Sequence, residues 1–184
     1  MKILVTLTAL AIGATAAQAA TLDVSSLPDG FQGATSVTVP QATISTPDGD
    51  DLFFNGADGS MGSFCAINAG TCEADLEIDF SMVIENVMFT VGGFDPGDSV
   101  LLNIFDASDA LAGTLAITAP GGYDISAFGE VGRLLFDDMS TGAGVAYNNF
   151  TFDVVDGMDV PAPAAGLLML FGIAGLGARR AYRK

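Results

Sequence analysis

The sequence contains no histidine and no tryptophan, and only two cysteines. Its six basic residues are Lys2, Arg133, Arg179, Arg180, Arg183 and Lys184, so a single cation, Arg133, lies between the two ends. All 22 acidic residues fall between Asp23 and Asp159. Phosphate recognition needs a cationic footprint, and this body has none, so nucleic acid is excluded as a partner. Without His or Lys there is no usual base to activate a Ser, Thr or Cys nucleophile, which removes most nucleophilic enzyme mechanisms. The chain is 184 residues long, room for one ordinary domain. Half of it is hydrophobic, but that excess is concentrated at the termini, which argues against a membrane-embedded body.

Residues 1–20 read as a secretory signal peptide. Lys2 supplies the positive n-region, and Ile3 to Ala14 is an apolar stretch too short to span a bilayer. Ala17-Gln18-Ala19 is a small-x-small site, so signal peptidase is expected to cut after Ala19 or Ala20. Residues 159–184 have three parts. Val160-Pro161-Ala162-Pro163-Ala164 is a proline-spaced motif that holds the backbone extended. The apolar stretch to Ala178 forms an expected transmembrane helix of about 22 Å at 1.5 Å per residue. That is short for a hydrocarbon core of about 30 Å, a gap that snorkelling arginines and local thinning would fill. Arg179, Arg180, Arg183 and Lys184 form a basic stop-transfer end that stays cytoplasmic, placing the acidic body outside.

This tail resembles the PEP-CTERM class of bacterial sorting signals, in the variant named for a Val-Pro-Leu-Pro-Ala motif. It departs from that variant at Ala162, where Leu is usual. The resemblance covers about 25 residues and implies an exosortase partner, a membrane-embedded cysteine transpeptidase. That enzyme removes the tail, and the body is then released or transferred to the cell envelope. The alternative is a plain single-span anchor. The absence of an LPxTG motif disfavours a wall signal of that kind, and the basic end disfavours a GPI signal.

Between these addresses, residues 21–158 are rich in Gly, Asp, Thr, Val and Phe, with short alternating runs separated by turn residues. Leu76-Glu77-Ile78-Asp79-Phe80 puts apolar side chains on one side and acids on the other. Further runs lie at 36–39, 42–45, 52–54, 85–91, 99–105, 113–118, 123–128, 133–136 and 149–155. Nine or ten strands at this spacing predict an all-β fold, an antiparallel sandwich or jelly roll of one domain. Thirteen Phe and no Trp suit facing sheets filled by Phe, Leu, Ile and Val. The stretch from Asp23 to Gly33 reads as an edge or a loop. The run from Leu76 to the closing Tyr147-Asn148-Asn149-Phe150-Thr151-Phe152 is similar to payload domains often carried by sorting-signal proteins. Those domains look like lectin-type or carbohydrate-binding sandwiches.

Cys65 and Cys72 enclose a turn-like segment, and export favours their oxidation to a disulfide; free thiols or a metal site are the alternatives. Zinc lacks support, because two Cys without His fall short of a tetrahedral set. Asp48, Asp50, Asp51, Asn55 and Asp58 crowd oxygen atoms into a Gly-rich stretch, a pattern that hard cations such as calcium favour. Asn149 or Asp153 on the final strand would complete such a shell, and a solvated acidic surface is the competing reading. Asp137-Asp138 invites comparison with a glycosidase acid pair, but adjacent strand residues point to opposite faces. Arg133 is expected to pair with Asp137 or another acid. The expected function is therefore that of an exported, non-enzymatic envelope or matrix protein, with a carbohydrate-binding or adhesive module as the alternative and polysaccharide as the partner.

Overall fold

The computed structural model describes residues 18–59, 61–140 and 143–159, with side chains through Val155. The signal peptide to residue 17, the VPAPA motif, the expected transmembrane helix and the basic end lie outside these residues. Thirteen strands and one short 3-10 turn make up the described chain, and every named strand pair is antiparallel. The strands are β1 (Gln18–Thr21), β2 (Gly30–Phe31), β3 (Ser36–Val39), β4 (Ala42–Ser45), β5 (Asp51–Phe54), β6 (Phe64–Asn68) and β7 (Thr71–Ala74). They continue as β8 (Leu76–Gly92), β9 (Val100–Phe105), β10 (Leu111–Ile117), β11 (Gly121–Asp124), β12 (Val131–Asp138) and β13 (Ala146–Asp159).

The long strand β8 organises the sandwich. Its first part, Leu76 to Phe80, pairs with β4 on one side and β12 on the other. Its later part pairs with β13 and β11. The first sheet therefore runs β3-β4-β8-β12-β9-β10, and the second runs β11-β8-β13, with β1, β6, β5, β2 and β7 continuing from β13. Leu76, Ile78 and Phe80 are buried while Glu77 and Asp79 are not, the alternation read from the sequence. Further along, Ile84 and Val87 are both buried with two residues between them, so the period of two slips by one. Asn86 sits at that slip with φ of 54°, a left-handed backbone that Asn tolerates and that bulges favour.

The two sheets meet through aromatic rings. Phe89 and Phe150 of the second sheet stack at 5.1 Å between centroids. Phe136 of the first sheet meets Phe89 edge-on at 5.5 Å and lies 4.3 Å from the Tyr147 ring. Phe80 of the first sheet meets Phe152 of the second at 5.4 Å. Such offset and edge-to-face pairs add to the area term that holds a sandwich together.

The structure changes several sequence expectations. Runs 76–80 and 85–91 are one strand, because Ser81 to Val83 continue β8 and do not end it. The run at 123–128 is a short strand to Asp124 followed by the 3-10 turn Ser126–Phe128. The cysteine segment is a β-hairpin whose turn is only Ala69-Gly70, both with positive φ as a two-residue hairpin turn requires. Arg133, expected on Asp137 or another acid, takes other acids. Its guanidinium bonds Glu77 at 2.9 Å and Asp109, and it lies 4.0 Å from Asp79. The register explains this, since Arg133 stands opposite Asp79 on β8, whereas Asp137 lies four residues further along its own strand.

Candidate functional site

The second sheet turns one face to the core and the other outward. On that outer face, Thr21, Thr151, Met88 and Asp124 stand directly opposite one another across β1, β13, β8 and β11. Met88 is half exposed, an apolar thioether in the middle of a polar sheet. Beside it the Asn86 amide donates from Nδ2 to Asp153 Oδ2 at 2.9 Å. That bond joins residues 67 positions apart, so only the pairing of β8 with β13 brings them together. A groove of about 380 Å³ lies over this face, lined by Ala19, Thr21, Asn86, Met88, Thr151 and Asp153 among others. Asp153 retains its Oδ1 and remaining lone pairs as acceptors, while Asn86 retains its carbonyl oxygen and a second amide hydrogen.

The first sheet carries a different outer patch. The Arg133 guanidinium carbon lies 3.7 Å above the centre of the Phe105 ring, so this exposed-side aromatic is capped by a cation. Partial loss of hydration at the sheet surface raises the Asp79 carboxyl above its ordinary value, the neighbouring charge of Glu77 adds to this, and Arg133 opposes it. A carboxylate with a raised folded-state pKa favours folding below its unfolded pKa and loses that contribution as pH rises through the folded value. Asp79→Asn should therefore unfold at a slightly higher temperature than the parent at pH 7. The two should converge as pH falls below the ordinary carboxylate value of 3.8, which a series of melting curves against pH would show.

The residues singled out for calcium are dispersed. Asp51 Oδ1 accepts from the Ala34 and Leu52 amides at 3.0 and 2.8 Å. Asn55 is spent at both ends, donating to Leu27 O at 2.7 Å and accepting from the Gly62 amide at 3.0 Å. Asp58 Oδ2 accepts from Asn148 Nδ2 at 2.9 Å, and Asp153 belongs to the groove. Asp48 and Asp50 lie close enough to Asp75 for their charges to act on it: its carboxyl is raised chiefly by burial and further by the charges of Asp137, Asp48 and Asp50. Among the described residues no three His, Cys, Asp or Glu side chains form a ready metal cage. Cys65 and Cys72 are joined as the sequence led one to expect, with Cα atoms 5.6 Å apart. Asp137 and Asp138 diverge along β12, and the Asp138 carboxylate accepts from the Ser140 amide at 2.7 Å.

Asn86, Met88 and Thr151 were not singled out by sequence reasoning. The available signal was Asn86 itself, a residue disfavoured in strand interiors standing in the middle of a strong strand pattern.

No family model matches the chain, and no curated protein does. Among solved structures, it is similar to two mutants of a family 29 carbohydrate-binding module and to a third family 29 structure. The first mutant shares 14% identity at a TM-score of 0.36, over 80% of this chain and 100% of that one. The second shares 14% at 0.33, over 79% and 100%. The third shares 14% at 0.32, over 80% and 97%. The strand pairing described above defines the antiparallel sandwich independently of these likenesses.

Proposed function

We propose that this chain is an exported, non-catalytic module of the bacterial envelope that binds neutral polysaccharide on the outer face of its second sheet. The observation that carries this reading is the row Thr21, Thr151, Met88 and Asp124 with the Asn86–Asp153 pair beside it. A sugar ring offers an apolar C–H face and a rim of hydroxyls. Met88 suits the face; planar carboxylate and amide groups suit pairs of hydroxyls, each of which both donates and accepts. The charge of the body selects against polyanions, because its acidic residues repel uronate or sulfate chains. Residues 1–20 would deliver the body across the membrane. Residues 159–184 would hold it there until an exosortase-like transpeptidase acts near VPAPA, and mass spectrometry of the protein from its native host would show both cuts.

Affinity electrophoresis tests the binding reading. Gels cast with a neutral glucan or mannan should retard the protein, and gels cast with alginate should not. The variant carrying Asn86→Gly and Asp153→Ala, in which Gly keeps the left-handed backbone at 86, should migrate unretarded while keeping the parent's melting temperature to within a few degrees. Equal mobility in every neutral polysaccharide would remove the proposal.

A further inference from the structure

Six strands of the described chain have one strand neighbour each: β1, β2, β3, β7, β10 and β11. Five of them are four residues long or shorter, and short edges offer little ladder to another chain. β10 is the exception. It runs for seven residues, pairs with β9 along one side and ends the first sheet. Among the described residues no strand pairs with its other side. Edge strands are usually blunted by charged side chains or Pro. β10 reads Leu111-Ala112-Gly113-Thr114-Leu115-Ala116-Ile117, and no charged residue occurs from Ala110 to Tyr123. A register shift between Leu111 and Gly113 disturbs its start and leaves Gly113 to Ile117 as a regular ladder.

The register fixes which way this ladder faces. Gly113, Leu115 and Ile117 stand opposite the buried Ile104, Leu102 and Val100, so they face the core. Thr114 and Ala116 face outward with Asn103 and Leu101. The Phe128 ring fills the space that a side chain at 113 would take, which fastens β10 on its core side and leaves the far edge open. Charge decides what can occupy that edge. The body carries 22 acidic residues against the single cation Arg133. A basic partner would be drawn to the acids, and along this edge they are missing. A second copy is repelled over the rest of the surface, so two such bodies can meet only along a seam where neither is charged. Any antiparallel register within Gly113–Ile117 sets only Gly, Thr, Leu, Ala and Ile opposite one another, and no like charges face across it.

We propose that β10 is a self-association edge, at which two copies pair β10 with β10 antiparallel about a twofold axis and join their first sheets into one. A contact of this kind uses the same patch on both copies and closes on itself. The other end of the first sheet is β3, only four residues long, so assembly stops at two chains. One strand pair buries little surface, which places the contact among weak, transient interfaces.

Sedimentation velocity of the full chain, at concentrations up to about 1 mM, reads such a contact. The mass should shift from one chain toward two. The shift should grow from low salt to about 0.5 M sodium chloride, where the screening length has fallen to a few ångströms and the bodies no longer repel at a distance. Hydrogen exchange along 111–117 should slow as concentration rises, while exchange along β3 should not change. Thr114→Lys with Ala116→Lys should stay at one chain in every salt and melt within a few degrees of the parent, because both side chains point outward. Thr43→Lys with Ser45→Lys makes the same charge change on the outer side of β4, and that variant should associate as the parent does. A one-chain mass at every concentration and salt would overturn the proposal. Association that survives Thr114→Lys with Ala116→Lys, or that leaves exchange along 111–117 unchanged, would overturn it by placing the contact elsewhere. Exchange along 111–117 that is already uniformly slow in the dilute chain would also overturn it, since another part of the same chain would then occupy the edge.

Discussion

Phe150→Ala is expected to cost about 3–5 kcal/mol of folding stability, the range for emptying a buried Phe position. The ring is 1% exposed and stands where both sheets converge. It stacks on Phe89 at 5.1 Å, lies 5.6 Å from Phe64 and meets Phe136 edge-on at 6.3 Å. Those partners come from β8, β6 and β12, three different strands of the two layers. Removing the ring leaves a cavity that strands held by ladder bonds on both sides refill only in part, so the cavity term adds to the lost transfer energy. A loss of this size is a large fraction of the stability of an ordinary domain. Urea unfolding followed by circular dichroism would show the midpoint fall with little change in slope. Phe31→Ala is the matched control. That ring is 60% exposed and its aromatic contact is with Phe53 alone, so its change should stay within about 0.5 kcal/mol.

Replacing Cys65 and Cys72 together by Ala should remove about 2–3 kcal/mol, the chain-entropy value for closing so short a loop. The bridge joins β6 to β7, and the β7 edge meets the 143–144 segment, where the Cys72 amide donates to Ala143 O at 2.9 Å. Gly144 approaches the Cys72 carbonyl so closely that a Cβ there would collide with it, and its φ of 71° is one that glycine adopts freely. The crosslink therefore secures the hairpin against the segment that leads into β13. Denaturant curves of the double variant and of the reduced parent should shift together, away from that of the oxidised parent. A shift below about 0.5 kcal/mol would mean that the hairpin holds its register without the bridge.

The parts of the fold legible in the sequence are those where one face of a strand is buried and the other is wet. At β3 and β4 the expected limits and the observed ones coincide, because Ala42 and Ile44 alternate with Thr43 and Ser45. The β6 strand is different. Phe64, Cys65, Ala66 and Ile67 are all buried, since the main core covers Phe64 and Ala66 and a second small cluster covers Cys65 and Ile67. Burial on both faces erases alternation, and the segment passes for a loop around a cysteine. The groove was illegible for another reason. Asn86 and Asp153 are ordinary polar residues until long-range pairing sets them side by side, and no local pattern encodes which strand will neighbour β8. The acidic stretch from Asp48 was informative in composition but not in geometry. Asp51, Asn55 and Asp58 spend oxygens on nearby backbone and side chains, while the charges of Asp48 and Asp50 act on Asp75.

The most direct measurement of the binding face is a titration of the isotopically labelled protein with a neutral oligosaccharide, followed by amide and methionine-methyl NMR. The Met88 methyl and the amides of Asn86, Thr151 and Asp153 should shift together along one saturating curve, while Arg133 and Phe105 on the opposite sheet stay still. Shifts confined to the Phe105 side, or none at saturating sugar, would contradict the account.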